Sequence, residues 1–259
     1  MDSPLREQAA DHVWEGVFST WAQAQAAARA IGGLGLGGDA WLRRITQQLT
    51  DYRQDLRVHG VARPPRPSNM PFVYALTRPS TIIDFGGSSG WCWDYLQECC
   101  PRHAVTSYRV VETSEVVSYM TEAALQAAPV GYQTGEEAVG AADLLYCNSV
   151  LQYFGSNQPF LSVVERAQPK FILLDDLVAG PGEDFFTTQR FRGSAIAYRF
   201  LGFQTLLDEL AAHGYVEVAR QPYDSPVNGV VAPLPMGNFP QARQLRYSSS
   251  VLLTRSGPQ

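Results

Sequence analysis

Short apolar runs alternate with helical patterns from about residue 79 onward. Buried strands are predicted at the runs STIIDF, SYRVVE, DLLYCN and FILLDD, and helices around residues 90–100, 115–127, 158–168 and 202–213. This alternation predicts a parallel sheet with helices on both faces, which is an α/β, doubly wound fold. The last two strands, at 215–223 and 248–255, have no helix between them, so they are predicted to form an antiparallel pair at the sheet edge.

The first 60 residues show a helical pattern instead. One stripe of apolar residues runs from Trp21 to Ile31, and a second runs from Trp41 to Leu56 after an N-cap at Asp39. A glycine run at 32–38 separates the two helices. The proline-rich stretch 62–71 predicts a connector that is neither helix nor central strand. We therefore predict a helical cap with its connector over 1–71 and a Rossmann-like domain over 72–259.

Composition narrows the class of protein. Of the 259 residues, 45% are hydrophobic and 17% are charged, which excludes disorder for the bulk of the chain. The net charge of −5 disfavours a nucleic-acid partner. The chain has no uninterrupted apolar run of about 18 residues, so we expect no membrane span, and the first residues lack the apolar region of a secretory signal. We expect a cytoplasmic protein with a small-molecule partner.

Metal, redox and Schiff-base chemistry have little support in the sequence. Lys170 is the only lysine, and it lies at a predicted helix-to-strand turn, so pyridoxal phosphate chemistry is disfavoured. The cysteines and histidines show no metal-ligand spacing, and free thiols are expected. Asp175 and Asp176 are adjacent acids without a third ligand. We therefore predict no metal site.

A strand that ends in an acid and enters a glycine loop is the strongest chemical signal. In TIIDFGGSSG (81–90), the strand carries Asp84, and the hydroxyl of Ser88 is placed to cap the next helix or touch a ligand carboxylate. A second acid, Glu112, ends the next predicted strand and is placed to accept both hydroxyls of a ribose. The glycines that allow positive φ and close approach of a ligand are Gly86, Gly87 and Gly90.

The spacing of this loop distinguishes two ligands. A nicotinamide dinucleotide usually requires G-x-G-x-x-G, with pyrophosphate at the helix N-terminus. Here the spacing is D-x-G-G-x-x-G, and Asp84 would repel pyrophosphate but attract a cationic ammonium group. S-adenosylmethionine (SAM) has an ammonium, a sulfonium and a ribose but no phosphate, so the two acids favour SAM. A structural glycine turn in an unrelated α/β protein is the alternative.

The predicted strand in DLLYCNSVLQYF (143–154) ends in polar residues that would border the ligand crevice. Amide oxygens there suit a cation, and a tyrosine ring offers a cation–π contact. We predict that Asn148 and Tyr153 position the reacting group and that Asn148, Ser149 and Gln152 bind the cofactor. The alternative is that Asn148 caps the following helix while Tyr153 packs in the core.

Aromatic residues from two parts of the chain are candidates for the substrate wall and lid. The stretch 175–191 is predicted to be a long loop over the strand ends, and tryptophans in the N-terminal part must pack on some surface. Ordinary core packing is the alternative for the tryptophans and for the aromatic cluster of 185–191. The candidates are Trp14, Trp21, Phe185, Phe186, Gln189, Phe191 and Tyr198.

Together these motifs resemble those of the class I SAM-dependent methyltransferases. The resemblance rests on WEGVFSTWAQA (14–24), DFGGSSG (84–90), NSVLQY (148–153), FFTTQ (185–189) and HGY (213–215). It is closest to a bacterial putative-methyltransferase family of polysaccharide and specialised-metabolite clusters. It implies a mostly parallel seven-stranded sheet, an N-terminal helical extension over the crevice, and SAM as cofactor. Ser88 departs from the glycine found in many methyltransferases.

Three functions agree with these motifs. The first is methyl transfer from SAM to a small nucleophile, which mainly requires positioning and desolvation. The second is a cyclase that converts SAM into azetidine-2-carboxylate and methylthioadenosine, as in azetidine-2-carboxylate synthases, which resemble methyltransferases. The third is a non-catalytic binding subunit, which would have no need of Asp84, Glu112 and the glycine loop together. We favour methyl transfer; the sequence leaves the oligomeric state open.

Overall fold

The computed structural model describes residues 12–32, 38–123, 130–135, 139–191, 194–224, 226–227, 230–231 and 233–256. The helices in these ranges are α1 (Trp21–Ala30), α2 (Gly38–His59), α3 (Met70–Thr77), α4 (Trp91–Cys99), α5 (Ser114–Glu122), α6 (Gln158–Ala167) and α7 (Phe203–Ala212). The strands are β1 (Trp14–Phe18), β2 (Thr81–Phe85), β3 (Ser107–Glu112), β4 (Val130–Thr134), β5 (Leu144–Asn148), β6 (Phe171–Leu177), β7 (Ala179–Gly180), β8 (Phe185–Phe191), β9 (Ser194–Gly202), β10 (Tyr215–Tyr223), β11 (Pro226–Val227), β12 (Val230–Val231) and β13 (Ser248–Arg255).

The main sheet has seven strands in the order β10-β13-β6-β5-β2-β3-β4. Strands β4, β3, β2, β5 and β6 pair in parallel, whereas β13 is antiparallel to both β6 and β10. The chain leaves β2 on one side for β3 and β4 and returns on the other side for β5 and β6, so the switch point lies between β2 and β5. The predicted α/β sheet and its antiparallel edge pair are confirmed. The order differs from that of dinucleotide-binding folds by the inserted β13.

Helices cover both faces of this sheet because its inner strands are apolar on both sides. Side chains alternate along a strand, so Ile83 belongs to one buried cluster with Phe160 of α6 and Leu206 of α7, whereas Ile82 belongs to a second cluster with Leu49 of α2 and Leu96 of α4. The four helices predicted from sequence between residues 90 and 213 are present as α4, α5, α6 and α7. No helix in the described ranges has the length and apolar character needed to cross a bilayer.

A second sheet, in the order β1-β8-β9-β7, corrects two expectations. Residues 14–18 are a strand rather than part of a helical region, and residues 185–191 are a strand rather than part of a loop. Strand β1 pairs with β8, and the hydroxyls of Thr187 and Thr188 donate to the carbonyl of Glu15 at 2.9 and 3.0 Å. The sequence FFTTQRF lacks regular alternation, which is why its strand was not predicted.

The N-terminal boundaries also differ in detail. Helix α2 begins at Gly38, so Asp39 lies inside the first turn and pairs with Arg43 at 3.7 Å rather than capping the helix. Helix α3 begins at Met70, so the end of the predicted connector is helical, with a proline in the first turn where it needs no N–H partner. The predicted division at residues 71 and 72 falls within α3 and stays a prediction. Residues 1–11 and 33–37 lie outside the described ranges.

Candidate functional site

A cavity of about 980 Å³ lies at the carboxyl ends of β2, β3 and β5. This is the position at which open α/β sheets bind ligands. Predicted site residues from the glycine loop and β3 line it: Asp84, Gly86, Gly87, Ser88 and Glu112. Predicted residues from other elements also line it: Trp21, Asn148, Ser149 and Tyr153. Segments distant in sequence therefore meet around one cavity.

The glycine loop follows a path that side chains would obstruct. A Cβ atom at Gly87 would lie 2.4 Å from Cγ of Asp84, and one at Gly86, where φ is +70°, would lie 2.5 Å from the methyl groups of Val150. Gly90 also has a φ of +70°, and a Cβ there would lie 2.9 Å from the Tyr132 hydroxyl. Gly90 is not one of the described residues that line the cavity. It lies at the N-cap of α4, where it shapes the loop.

Asp84 is buried at the base of the glycine loop, with 1% of its surface exposed. Its Oδ2 accepts a 2.6 Å hydrogen bond from the hydroxyl of Tyr108 on β3. Burial raises the pKa of Asp84 to about 7, the charge of Glu112 adds to the rise, and the Tyr108 hydrogen bond opposes it. A cation that enters the cavity therefore meets a carboxyl group that ionises near neutral pH.

Glu112 is held at the tip of β3 by backbone donors. The N–H of Ser88 donates to Oε1 at 3.0 Å, and the N–H of Thr113 donates to Oε2 at 2.9 Å. Burial raises the pKa of Glu112, and these two hydrogen bonds act in the opposite direction. Because each carboxylate oxygen has two lone pairs, each retains an acceptor position for a ligand hydroxyl.

The end of β5 supplies amide and hydroxyl groups. Asn148 donates through Nδ2 to the carbonyl of Pro67 at 3.0 Å and to the hydroxyl of Tyr146 at 2.8 Å, whereas its Oδ1 has no hydrogen-bond partner among the described residues. Ser149 accepts from Gln152 Nε2 at 2.9 Å. Gln152 is buried and does not line the cavity in the described part of the chain, so it contacts Ser149 instead of contributing to the cavity wall.

Tyr153 lines the cavity and is held from behind by two predicted site residues. Its hydroxyl donates to Oε1 of Gln189 at 3.2 Å, and its ring meets that of Tyr198 edge-on with centroids 5.5 Å apart. Burial raises the pKa of Tyr153, while the positive charge of Arg66 opposes that rise. Neither Gln189 nor Tyr198 lines the cavity among the described residues. They fix the tyrosine rather than form the wall expected from sequence.

The aromatic candidates divide between core and wall. Trp14 is 1% exposed and packs against Phe200 with centroids 5.3 Å apart, while Phe185 stacks on the same Phe200 at 4.8 Å. Phe186 meets Trp21 edge-on at 5.9 Å. Of these candidates only Trp21 lines the cavity in the described ranges, so the alternative of core packing holds for Trp14 and Phe185. The side chain of Phe191 lies outside the described set.

The proline-rich connector contributes a residue that sequence reasoning missed. Arg66 lines the cavity, and its Nη1 donates to the Oγ of Ser149 at 2.8 Å. Neither periodicity nor a motif marks this arginine, because only the fold brings the connector to the strand ends. Further lining residues that were missed come from α1, α2 and the start of α4: Gln25, Trp41, Arg44 and Trp91.

The adjacent acids on β6 hold the connector in place. Asp175 accepts from the N–H and Nδ2 of Asn69 at 2.7 and 2.9 Å and from the Oγ of Ser250 at 2.6 Å. Asp176 accepts from the Oγ of Ser248 at 2.7 Å and faces Nη1 of Arg66 at 3.6 Å. The described residues contain no group of three or more metal-ligating side chains.

Backbone strain is concentrated at the same end of the sheet. Ser88, Ser149 and Asp176 have φ values of +56°, +60° and +52°, and they lie at or just beyond the ends of β2, β5 and β6. Left-handed conformations cost energy for residues with a Cβ, so they persist where surrounding contacts enforce them. The strained positions and the cavity occupy the same edge, as is common at ligand sites.

No protein-family model matches the sequence, and no curated protein matches it significantly. Among solved structures, the chain is similar to human N-acetylserotonin methyltransferase in complex with SAM, with 13% identity and a TM-score of 0.50. That match covers 84% of this chain and 56% of the other, so this chain spans little more than half of its length. At such identity the similarity is one of fold.

Two further solved structures match more of their own length. A putative SAM-dependent methyltransferase from Listeria monocytogenes has 13% identity and a TM-score of 0.49, over 72% of this chain and 97% of that one. The 1,6-didemethyltoxoflavin-N1-methyltransferase of Burkholderia thailandensis, with 1,6-didemethyltoxoflavin and S-adenosylhomocysteine (SAH) bound, has 14% identity and a TM-score of 0.48. That match covers 82% of this chain and 87% of the other.

Proposed function

We propose that this protein binds SAM at the carboxyl ends of β2, β3 and β5 and transfers the methyl group to a small-molecule acceptor in the same cavity. The observation that carries the proposal is the pair of carboxyl groups, Asp84 and Glu112, on adjacent strands beside the glycine loop. Such a pair attracts a ligand with a cationic amino-acid end and a ribose, and it repels pyrophosphate.

The residues present fit this ligand at three points. Glu112 retains acceptor positions for two ribose hydroxyls after binding two backbone N–H groups. The loop at Gly87 has no space for a side chain beside Asp84. Asn148 has an Oδ1 atom without a partner in the described ranges, and a buried acceptor of this kind suits an ammonium or sulfonium group.

The chain's own contribution to methyl transfer is positioning and exclusion of water. When bound, SAM supplies an electrophilic methyl group, whose bond to sulfur breaks with both electrons left on sulfur as the acceptor's lone pair bonds to carbon. Tyr153, fixed by Gln189, presents a ring that stabilises nearby positive charge. No described histidine lines the cavity, so a nucleophile that needs early deprotonation would find no imidazole base.

The finer parts of the proposal rest on the sequence motifs. The resemblance to bacterial proteins of specialised-metabolite clusters supports a biosynthetic acceptor. In this proposal the N-terminal segment acts as the cap of the cavity, because Trp21 and Gln25 of α1 and Trp41 of α2 line it.

Calorimetry with SAH tests the binding site. We expect wild-type protein to bind SAH in the micromolar range and Glu112→Gln to bind at least about tenfold more weakly, because a carboxylate hydrogen bond is lost. Glu165→Gln, an exposed carboxylate on α6, is the matched control. Folded wild-type protein that does not bind SAH would refute the proposal.

Incubation with SAM alone tests the reaction. We expect no turnover without an added acceptor, by mass spectrometry of the products. Formation of methylthioadenosine together with azetidine-2-carboxylate would show that the protein is a SAM cyclase rather than a methyltransferase. Binding of SAH without turnover, even with a broad mixture of small-molecule acceptors, would leave only the non-catalytic role.

A further inference from the structure

The cavity has acidic and basic parts. Its carboxyl groups, Asp84 and Glu112, lie at the tips of β2 and β3. Its half-buried arginines are Arg66 on the connector and Arg44 on α2. Burial raises the pKa of Tyr153; the charges of Arg66 and Arg44 oppose that rise, and the charge of Asp176 adds to it. Two guanidinium groups and one carboxylate therefore act on the Tyr153 end of the cavity.

Some N–H donors of Arg66 have no partner among the described residues. Its Nη1 donates to the Oγ of Ser149 at 2.8 Å and lies 3.6 Å from Oδ2 of Asp176. A guanidinium has five N–H donors, and the contacts of Arg66 with Ser149 and Asp176 both involve Nη1, which leaves Nε and Nη2 without a partner in the described part of the chain. The side chain keeps 37% of its surface exposed while it lines the cavity.

The connector holds Arg66 in this position before any ligand arrives. The carbonyl of Pro67, the next residue, accepts from Nδ2 of Asn148 at 3.0 Å and from the hydroxyl of Tyr223. Two residues further on, Asn69 is bound twice by Asp175. A side chain whose backbone is anchored by the residues that follow it loses less entropy when it binds a ligand.

A cationic ligand does not explain this arginine. In the proposed function the ammonium and sulfonium groups of SAM carry positive charge beside Asn148, and a guanidinium near them raises their energy unless an anion, the carboxylate of SAM or of a second molecule, lies between. Asp176 supplies part of that negative charge, but it is 3.6 Å away and also accepts from Ser248. The cavity, about 980 Å³, is at the upper end of the range for ligand sites and has room for a second molecule.

We propose that Arg66 binds a carboxylate of the methyl acceptor beside Tyr153 and so restricts the acceptors to small carboxylic acids. The planar fork of a guanidinium matches the two oxygens of a carboxylate, which a lysine would not do. Aromatic rings of Trp21 and Trp41 line the same cavity and favour acids with a flat apolar body. This inference rests on the proposed function and names its substrate class.

Matched pairs of acids and amides test the inference on the SAH-bound protein. Benzoate, 4-hydroxybenzoate and indole-3-acetate, each beside its primary amide, are titrated by calorimetry at up to millimolar concentration. We expect at least one acid to bind wild-type protein about tenfold or more tightly than its amide. Arg66→Gln should lower the affinity for that acid at least about tenfold and change the affinity for the amide less than about twofold.

Two variants control for charge and folding. Arg63→Gln removes an exposed arginine from the same connector and should leave the acid's affinity unchanged. Arg66→Lys keeps the charge without the planar fork and should retain part of the affinity. Thermal unfolding of each variant with SAH shows that it is folded.

Each other outcome overturns the inference. It fails if no acid binds wild-type protein, or if Arg66→Gln binds the acids as wild type does. It also fails if Arg66→Gln lowers the affinity for SAH at least about tenfold but leaves the affinity for methylthioadenosine unchanged. Methylthioadenosine lacks the amino-acid end of SAM, so that result would show that Arg66 binds the carboxylate of SAM itself. Absence of SAH binding by wild-type protein would instead contradict the proposed function itself.

Discussion

The hydroxyl of Tyr108 on β3 donates a 2.6 Å hydrogen bond to Oδ2 of Asp84 on β2, and both residues are buried. The phenol fixes one carboxyl oxygen, while the missing side chain at Gly87 leaves room for the rest of the group. The cavity thus contains a carboxyl group of fixed position whose pKa is raised to about 7, mainly by burial.

The affinity for SAH is expected to depend on pH through Asp84. A bound ammonium group stabilises the ionised carboxylate, so binding near neutral pH releases a proton. Affinity should therefore rise up to about tenfold between about pH 6 and pH 8. Calorimetry in two buffers of different ionisation enthalpy measures the proton release.

Tyr108→Phe provides the control for this pH dependence. The Tyr108 hydrogen bond lowers the pKa of Asp84, so its loss should move the affinity profile to higher pH. An affinity that is flat over this range in both proteins would contradict the role of Asp84 as the titrating group.

The same carboxyl group is expected to destabilise the fold at high pH. The pKa of Asp84 is about 7 in the folded protein against 3.8 ordinarily, so its favourable contribution is complete below about pH 4 and is lost as pH rises through about 7. Asp84→Asn does not titrate. It should raise the free energy of unfolding relative to wild type by about 1–4 kcal/mol at about pH 8 and have little effect at about pH 4.

Urea unfolding at the two pH values measures this difference. Asp208→Asn, at an exposed position on α7, is the matched control and should show no pH-dependent difference. The same variant Asp84→Asn is expected to bind SAH more weakly, which would make stability and binding change in opposite directions. Equal stability differences at both pH values would contradict this account.

Gly87→Ala is expected to weaken SAH binding by about tenfold or more. The added Cβ would lie 2.4 Å from Cγ of Asp84, so either the loop or the carboxyl group must move. Gly131→Ala, on β4, places its Cβ in open space and should bind SAH as wild type does. Calorimetry measures the SAH affinity of both variants, and thermal unfolding checks that they are folded. Full affinity in Gly87→Ala would contradict the assignment of the glycine loop to the SAH site.

Asp175→Asn is expected to loosen the connector that carries Arg66. An amide has one acceptor oxygen and a donor in place of the second, so it cannot satisfy both Asn69 donors and Ser250 together. The free energy of unfolding should fall by about 1–3 kcal/mol, measured with urea. A variant as stable as wild type would show that these hydrogen bonds do not hold the connector.

The strand tips could be predicted because their signals are local. Asp84 and Glu112 each end an apolar run, and parallel strands place their carboxyl ends at one edge, so their meeting at the cavity follows from the pattern alone. Glycine spacing likewise marked the loop between them. The assignment of Asn148, Ser149 and Tyr153 to the same cavity rests on this rule as well.

The second sheet and the arginine of the connector could not be predicted in this way. The pairing of Trp14 with Gln189 joins residues far apart in the chain, and the strand FFTTQRF has no alternation to mark it. Without that pairing, the sequence makes Trp14 a candidate for the lid and Phe185 a candidate for the substrate wall, although the fold packs both against Phe200.

What the sequence by itself determined is the α/β sheet with six of its seven strands, helices α4 to α7, and the acids and glycines at the strand tips. Those features depend on the period of apolar residues and on backbone freedom, which neighbouring residues decide. What only the tertiary structure decided is which distant side chains complete the cavity. Arg66 lies there because Asn69 is bound by Asp175 and Pro67 by Tyr223. Such long-range hydrogen bonds produce no periodic pattern in the sequence, so they could not be predicted from it.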